Sequence, residues 1–187
     1  MKKISLILLA TLSFSFLPSS KVETKKVNIS NSTIKWVGYK LTGKHEGTIT
    51  LKKGELIFEN NILVGGNFIM DMTSINTTDL SGGSKERLDG HLKSEDFFDS
   101  YKFKTATMVF KNVKRTTKGY RVNADLSIKN ITKPVVFNMD VSGNSAKTKL
   151  KIDRTKYNIT YKSATMTSIL KDKAIYDEFD LSVSLKF

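Results

Sequence analysis

Between Gly90 and Phe110 the chain reads GHLKSEDFFDSYKFKTATMVF, which sets His91 beside Glu95, Asp96 and Asp99, with Asp89 just ahead of it. Histidine and carboxylates do two kinds of chemistry. They move protons where they converge in a pocket that shifts their pKa values, or they ligate zinc. The other histidine is His45, and neither an HxH nor an HExxH spacing occurs, so no metal site is expected. Glu95 and Asp96 are better used at the positive start of a helical turn capped by Ser94, which exists to bury Phe97 and Phe98. Arginine grips phosphate through a two-pronged fork, which singles out Arg87 and Asp153-Arg154. The plainer assignment for Asp153-Arg154 is an ion pair that fixes a strand end. Ser81-Gly82-Gly83-Ser84 lacks the lysine of a phosphate loop, and no serine lies in a GxSxG context. No catalytic residue and no cofactor are expected.

The elements that carry these residues are strands. In EFDLSVSLKF, the residues Phe179, Leu181, Val183, Leu185 and Phe187 alternate with polar neighbours, so one face is buried and the other wet. YRVNADLSIK places Tyr120, Val122, Ala124, Leu126 and Ile128 on one side, and VVFNMDV does the same with Val135, Phe137, Met139 and Val141. TIKWVGYKL, HEGTITL, GELIFE and ILVGGNFIMDM have strand composition with apolar residues on both faces, and Gly65-Gly66 marks a bend or bulge. Hairpin turns are expected at Lys52-Lys53-Gly54, Glu59-Asn60-Asn61, Lys118-Gly119 and Ser142-Gly143-Asn144. About eight strands with short turns, and no βαβ rhythm, give an all-β antiparallel barrel or a two-sheet sandwich. One helical crossover interrupts it, with Ser84 as N-cap and Leu88 and Leu92 four apart. The small residues Gly66, Ala124, Ala146 and Thr148 favour a hollow interior.

Residues 1–20 have a positive start (Lys2, Lys3), an apolar core and a small-residue stretch, the layout of an export signal. The apolar run is shorter than the ~20 residues of a membrane span. Residues 21–32 are polar and expected to be mobile, and residues 33–187 form the domain. There is no cysteine, which excludes disulfides, thiolate metal sites and a lipidated cysteine. The net charge is +13. The lysines are spread singly through the strands, which describes a solvated surface and no nucleic-acid site, with transient contact to a membrane surface as a further expectation.

From Ile34 to Phe187 the chain resembles the YceI-like family of secreted, lipocalin-like proteins. The resemblance rests on IKWVGYKLTGKHEGTITLKKGELIF, GGNFIMDMTSI, LDGHLKSEDFFDSYKFKTATMVF, ADLSIKNITKPVVF and IDRTKYNI. It departs at Tyr157-Asn158, where the family has an aromatic followed by glycine; asparagine tolerates the same left-handed backbone. The resemblance implies an eight-stranded antiparallel barrel that holds a polyisoprenoid, isoprenoid quinone or fatty-acyl lipid without catalysis. The export signal places the expected protein in the periplasm or outside the cell, and a monomer or homodimer is expected. On the residues alone, the inward side chains either fill the barrel or line a channel. With the resemblance, the expected lining is Trp36, then Phe68 and Met70, then Phe103, Met108 and Phe110. Val122, Ala124 and Leu126, Phe137 and Met139, and Leu181 and Val183 complete it. His45, His91 and Arg154 are the expected polar groups at the mouth. The alternative is an envelope or stress-related interaction module that presents its basic surface on a solid barrel.

Overall fold

The computed structural model describes residues 20–163, 165 and 174–187. The leader expected over residues 1–20 lies, except for Ser20, outside the described residues. The elements are β1 (Val22–Lys26), β2 (Thr33–Lys40), β3 (Gly43–Glu59), β4 (Ile62–Thr77), α1 (Gly82–Lys93), β5 (Thr105–Thr116), β6 (Gly119–Ile128), β7 (Ile131–Ser142), β8 (Ser145–Asp153) and β9 (Ile175–Lys186). All strand pairs are antiparallel. The ladder runs from β3 through β2, β9, β8, β7, β6 and β5 to β4, and the β3–β4 pair closes it into an eight-stranded barrel. Closure pairs every wall strand on both sides and leaves an interior for side chains or one slender ligand.

Two expectations about chain path are corrected. Val22–Lys26 is a strand, held against Glu55–Glu59 by a backbone ladder, so part of the stretch expected to be mobile is fixed to the wall. Lys52-Lys53-Gly54 is not a turn: β3 runs straight through it, with a register shift against β4 between Leu51 and Lys53. An extra residue in a ladder bends the strand without ending it. The other three hairpins form where expected, with Asn60, Asn61, Gly119 and Gly143 at positive φ.

The crossover between β4 and β5 also differs in detail. Ser81, not Ser84, is the N-cap of α1, and its side chain makes no capping bond. Ser94 ends the helix, and its Oγ donates back to the His91 carbonyl (2.8 Å). Asp89 fastens α1 to the barrel, accepting from the Thr77 N–H (2.7 Å) and from Lys85 Nζ, which also reaches Asn76. After β8, Asp153 caps a single 3₁₀ turn over Arg154–Tyr157, and Asn158 closes it in the left-handed region (φ 57°).

The interior is filled unevenly. In the half nearer the β3–β4 hairpin, Leu56, Leu63, Val122, Ala124 and Ala146 are at most 1% exposed. In the other half, Trp36, Met70, Met108, Leu181 and Val183 point inward from the same ladders yet are only half-buried.

Candidate functional site

Inward side chains that remain half-buried mark a hollow. It is a cavity of about 230 Å³, several times the roughly 30 Å³ share of one water, and its lining is almost wholly apolar. Its outer end lies where β2 turns into β3 and β9 begins, at the exposed Lys40 and Tyr176. Leu88 and Leu92 of α1 and Phe97 and Phe98 of the following turn form one side of this end. The spacing of the two leucines puts both on one helix face. The inner end is a floor of three phenylalanines. Phe68 and Phe110 have ring centroids 5.3 Å apart, and Phe110 and Phe137 are 5.8 Å apart and edge-on.

Ten of the side chains expected to line a cavity do line this one: Trp36, Phe68, Met70, Met108, Phe110, Leu126, Phe137, Met139, Leu181 and Val183. Three others do not. Phe103 precedes β5, its N–H bound to the Asp99 carbonyl (2.8 Å), so the strand alternation does not govern it. Val122 and Ala124 face inward but lie below the floor. Ala124 is opposite Phe110 in the ladder and Val122 is opposite Phe137, so the rings cover them. Gly66 is likewise no void. A Cβ there would stand 3.0 Å from both the Phe68 and Phe110 rings, so those rings rest directly on the β4 backbone. Among the small residues that favour a hollow in the sequence, Thr148 borders the cavity, and its hydroxyl donates to the Asn138 carbonyl (2.7 Å). Phe179, two residues before Leu181 on the same face, was legible from the alternation and belongs with the lining.

The polar groups at the outer end have distinct partners. His45 borders the cavity, and its Nδ1 bonds Asp79 Oδ2 (2.9 Å), while Asp79 Oδ1 accepts from the Glu46 N–H (3.1 Å). Burial alone would raise the Asp79 pKa, but these two bonds outweigh it and hold the carboxyl below its ordinary value. His45 Nε2 is left unbonded among the described residues. His91 is not among the side chains that line the cavity. Its ring packs edge-on against Phe97 (4.9 Å) and Tyr161 (4.6 Å), with Asp96 3.9 Å from Nδ1. Arg154 borders the cavity but spends its fork on the protein. It donates to the carbonyls of Tyr176 (3.1 Å), Ile159 (2.8 Å) and Ile175 (3.0 Å) and lies 3.5 Å from Asp177. Its ion-pair partner is thus Asp177 of β9, while the neighbouring Asp153 caps the 3₁₀ turn. Arg87 makes a local bond to Ser84 (2.9 Å) and no other among the described residues. Among the described residues no cluster of histidine, aspartate and glutamate could hold a metal ion.

A closed antiparallel eight-stranded barrel with one crossover helix and an apolar cavity reached from one end defines the class of small hollow-barrel proteins. Within it, the YceI-like domain model matches residues 21–187, and the chain belongs to that family. Among curated relatives, a UPF0312 protein of Yersinia enterocolitica is 36% identical over 69 residues, 37% of this chain and 35% of its own. A Vibrio cholerae UPF0312 protein is 29% identical over 126 residues, 65% of this chain and 62% of its own. The chain therefore spans between about a third and two thirds of the length of these relatives. Among solved structures, BcnA of Burkholderia cenocepacia superposes with a TM-score of 0.66 at 17% identity, over 85% of this chain and 98% of that one. A polyisoprenoid binding domain from Saccharophagus degradans superposes with a TM-score of 0.56 at 13% identity, over 88% and 97% of the two chains. These structural likenesses establish the shared fold.

Proposed function

We propose that the protein binds a long apolar molecule inside the barrel, with an isoprenoid, quinone or fatty-acyl tail in the cavity and the polar end beside Lys40 and His45. The carrying observation is the one-ended cavity with an apolar lining, on a fold shared with a polyisoprenoid-binding domain. Each buried methylene contributes about 0.8 kcal/mol before ordering costs, so a chain gains affinity with length without needing polar contacts. The reading is non-enzymatic. Asp89 is committed to the Thr77 N–H, Asp79 to His45, and Arg154 to backbone carbonyls, all of them structural uses. The start of the sequence favours an envelope protein reached by export, with transient contact at a membrane surface when ligand is exchanged.

The test is to express residues 21–187 in a bacterial host, extract the pure protein with organic solvent and identify the extract by mass spectrometry. A stoichiometric isoprenoid, quinone or fatty-acyl compound is the expected result. An empty extract, with no uptake of added lipid, refutes the proposal. It would turn attention to the basic outer surface, whose binding of anionic lipid or polymer should weaken steeply with salt.

A further inference from the structure

We infer that the aromatic floor sets a ligand length. This inference rests on the reading of the cavity as a lipid site, and it narrows the ligand to a single tail of roughly 12–20 chain carbons. The depth follows from the lining. Along β9 it runs from Ile175 to Leu185, and along β3 from His45 to Leu51. At ~3.3 Å per residue and a strand tilt of ~40°, these spans project to about 25 Å and about 15 Å on the barrel axis. An extended carbon chain advances roughly 1.25 Å per carbon, from a ~1.52 Å bond and a ~111° angle. The tube therefore takes roughly 12–20 chain carbons, or about three to five isoprene units. Its bore, set by eight strands, suits one tail and not the two of a diacyl lipid.

The tube is blind, and its end is built from fixed parts. Phe68, Phe110 and Phe137 are 6–8% exposed, and the Phe110 ring contacts each of the other two. The Gly66 backbone lies against the Phe68 and Phe110 rings, and Ala124 lies opposite Phe110 across the β5–β6 ladder. Beneath them the packing is closed, and a second aromatic pair, Phe58 and Phe187 with centroids 5.8 Å apart, stands at the far end. A tail that reaches the floor has no channel to follow. Phe110 and Phe137 are thus specificity-determining residues, and Gly66 and Ala124 form the seat of Phe110.

The experiment uses residues 21–187 and a prenol series: geraniol, farnesol, geranylgeraniol and the much longer solanesol. Binding is followed through Trp36, the sole tryptophan, which borders the cavity, with stoichiometry from native mass spectrometry. Affinity should climb by about tenfold or more per added unit up to geranylgeraniol. Solanesol should then bind within about threefold of geranylgeraniol, because its extra units stay outside. Phe110→Ala and Phe137→Ala should restore a preference of about tenfold or more for the longer chain. Phe137→Leu, a milder change, keeps the question answerable if the alanine variants do not fold, and should give a smaller shift in the same direction. Affinity that keeps rising to solanesol in the wild type, or folded variants with no shift, would overturn the floor while leaving lipid binding intact. A wild type that binds no prenol and yields no extracted lipid overturns both.

Discussion

Arg154 offers the sharpest separation of a structural from a ligand-binding role. Its side chain is 4% exposed, and it joins the turn after β8 to the start of β9 through three carbonyls and Asp177. Burial lowers its pKa, and Asp177 and Asp153 act against that shift. Its guanidinium carbon also lies 5.6 Å from the centroid of the Phe97 ring. Arg154→Leu keeps apolar bulk but leaves three carbonyls short of a donor and strips Asp177 Oδ1, which is buried with no hydrogen-bond partner among the described residues, of its counter-charge. Removing one partner from a buried pair costs about 3–5 kcal/mol, a large part of the roughly 5–15 kcal/mol that holds a domain together. Arg154→Lys restores the charge but not the fork, so its loss should be intermediate. Urea unfolding of ligand-free protein measures this as a lower midpoint at unchanged slope. In the double variant Arg154→Leu/Asp177→Asn, the loss should be smaller than the sum of the two single losses, because the orphaned charge is gone. A loss below about 1 kcal/mol in Arg154→Leu, together with weaker ligand binding, would refute the structural assignment and return Arg154 to the headgroup.

Gly47→Ala should destabilise the barrel by at least the roughly 1–3 kcal/mol of an overpacked core. The new Cβ would collide with the Asn76 carbonyl and stand 2.5 Å from the Trp36 ring, so thermal unfolding and tryptophan emission should both shift. Val122→Lys and Leu181→Lys should part company. Val122 is 0% exposed below the floor, so its variant should lose the cooperative thermal transition. Leu181 faces the hollow, so its variant should fold, place its ammonium along the cavity and yield no lipid on extraction. For Asp89, burial works to raise the pKa, but the bonds from Lys85 and the Thr77 N–H outweigh it and lower it. The native carboxyl thus binds its proton less readily than the unfolded one. Its contribution is complete above about pH 5 and is lost as the pH falls through the native pKa. Asp89→Asn should flatten that acid-side decline in urea midpoints, and an unchanged decline would sink the assignment.

What the sequence made legible was whatever repeats every two residues. The alternations in β6, β7 and β9 name the inward faces correctly, and Asn60-Asn61 and Ser142-Gly143-Asn144 are turns for local reasons. Gly54 misled because a turn and a bulge draw on the same residue; which one forms is decided by pairing with Phe68, far along the chain. VETKK carries no alternation to read, and its place is fixed by backbone bonds to Glu55–Glu59. His45 and Asp79 are joined across 34 positions, and nothing local announces that bond. The cavity itself was half legible. Ala124 and Leu126 share one face of β6 and one pattern, yet one lies under the floor and the other lines the hollow, a matter of depth that periodicity does not carry.

That difference in depth explains how a chain of this size both folds and keeps a hollow. An empty apolar space forfeits packing, at a cost that grows with its volume, so a hollow barrel needs a surplus elsewhere. Here the surplus is gathered at one end. Gly66, Ala124 and Ala146, which taken singly subtract bulk, accompany Phe68, Phe110, Phe137 and Leu56 in close packing, and β1 adds a further ladder beside that half. The other end is lined by flexible side chains such as Met70, Met72 and Met108, which adapt to an irregular tail with little strain. Folding and binding are thus divided along the barrel axis, and the ring of Phe110 stands at the division. A substitution below that ring acts first on stability, and a substitution above it acts first on what the barrel holds.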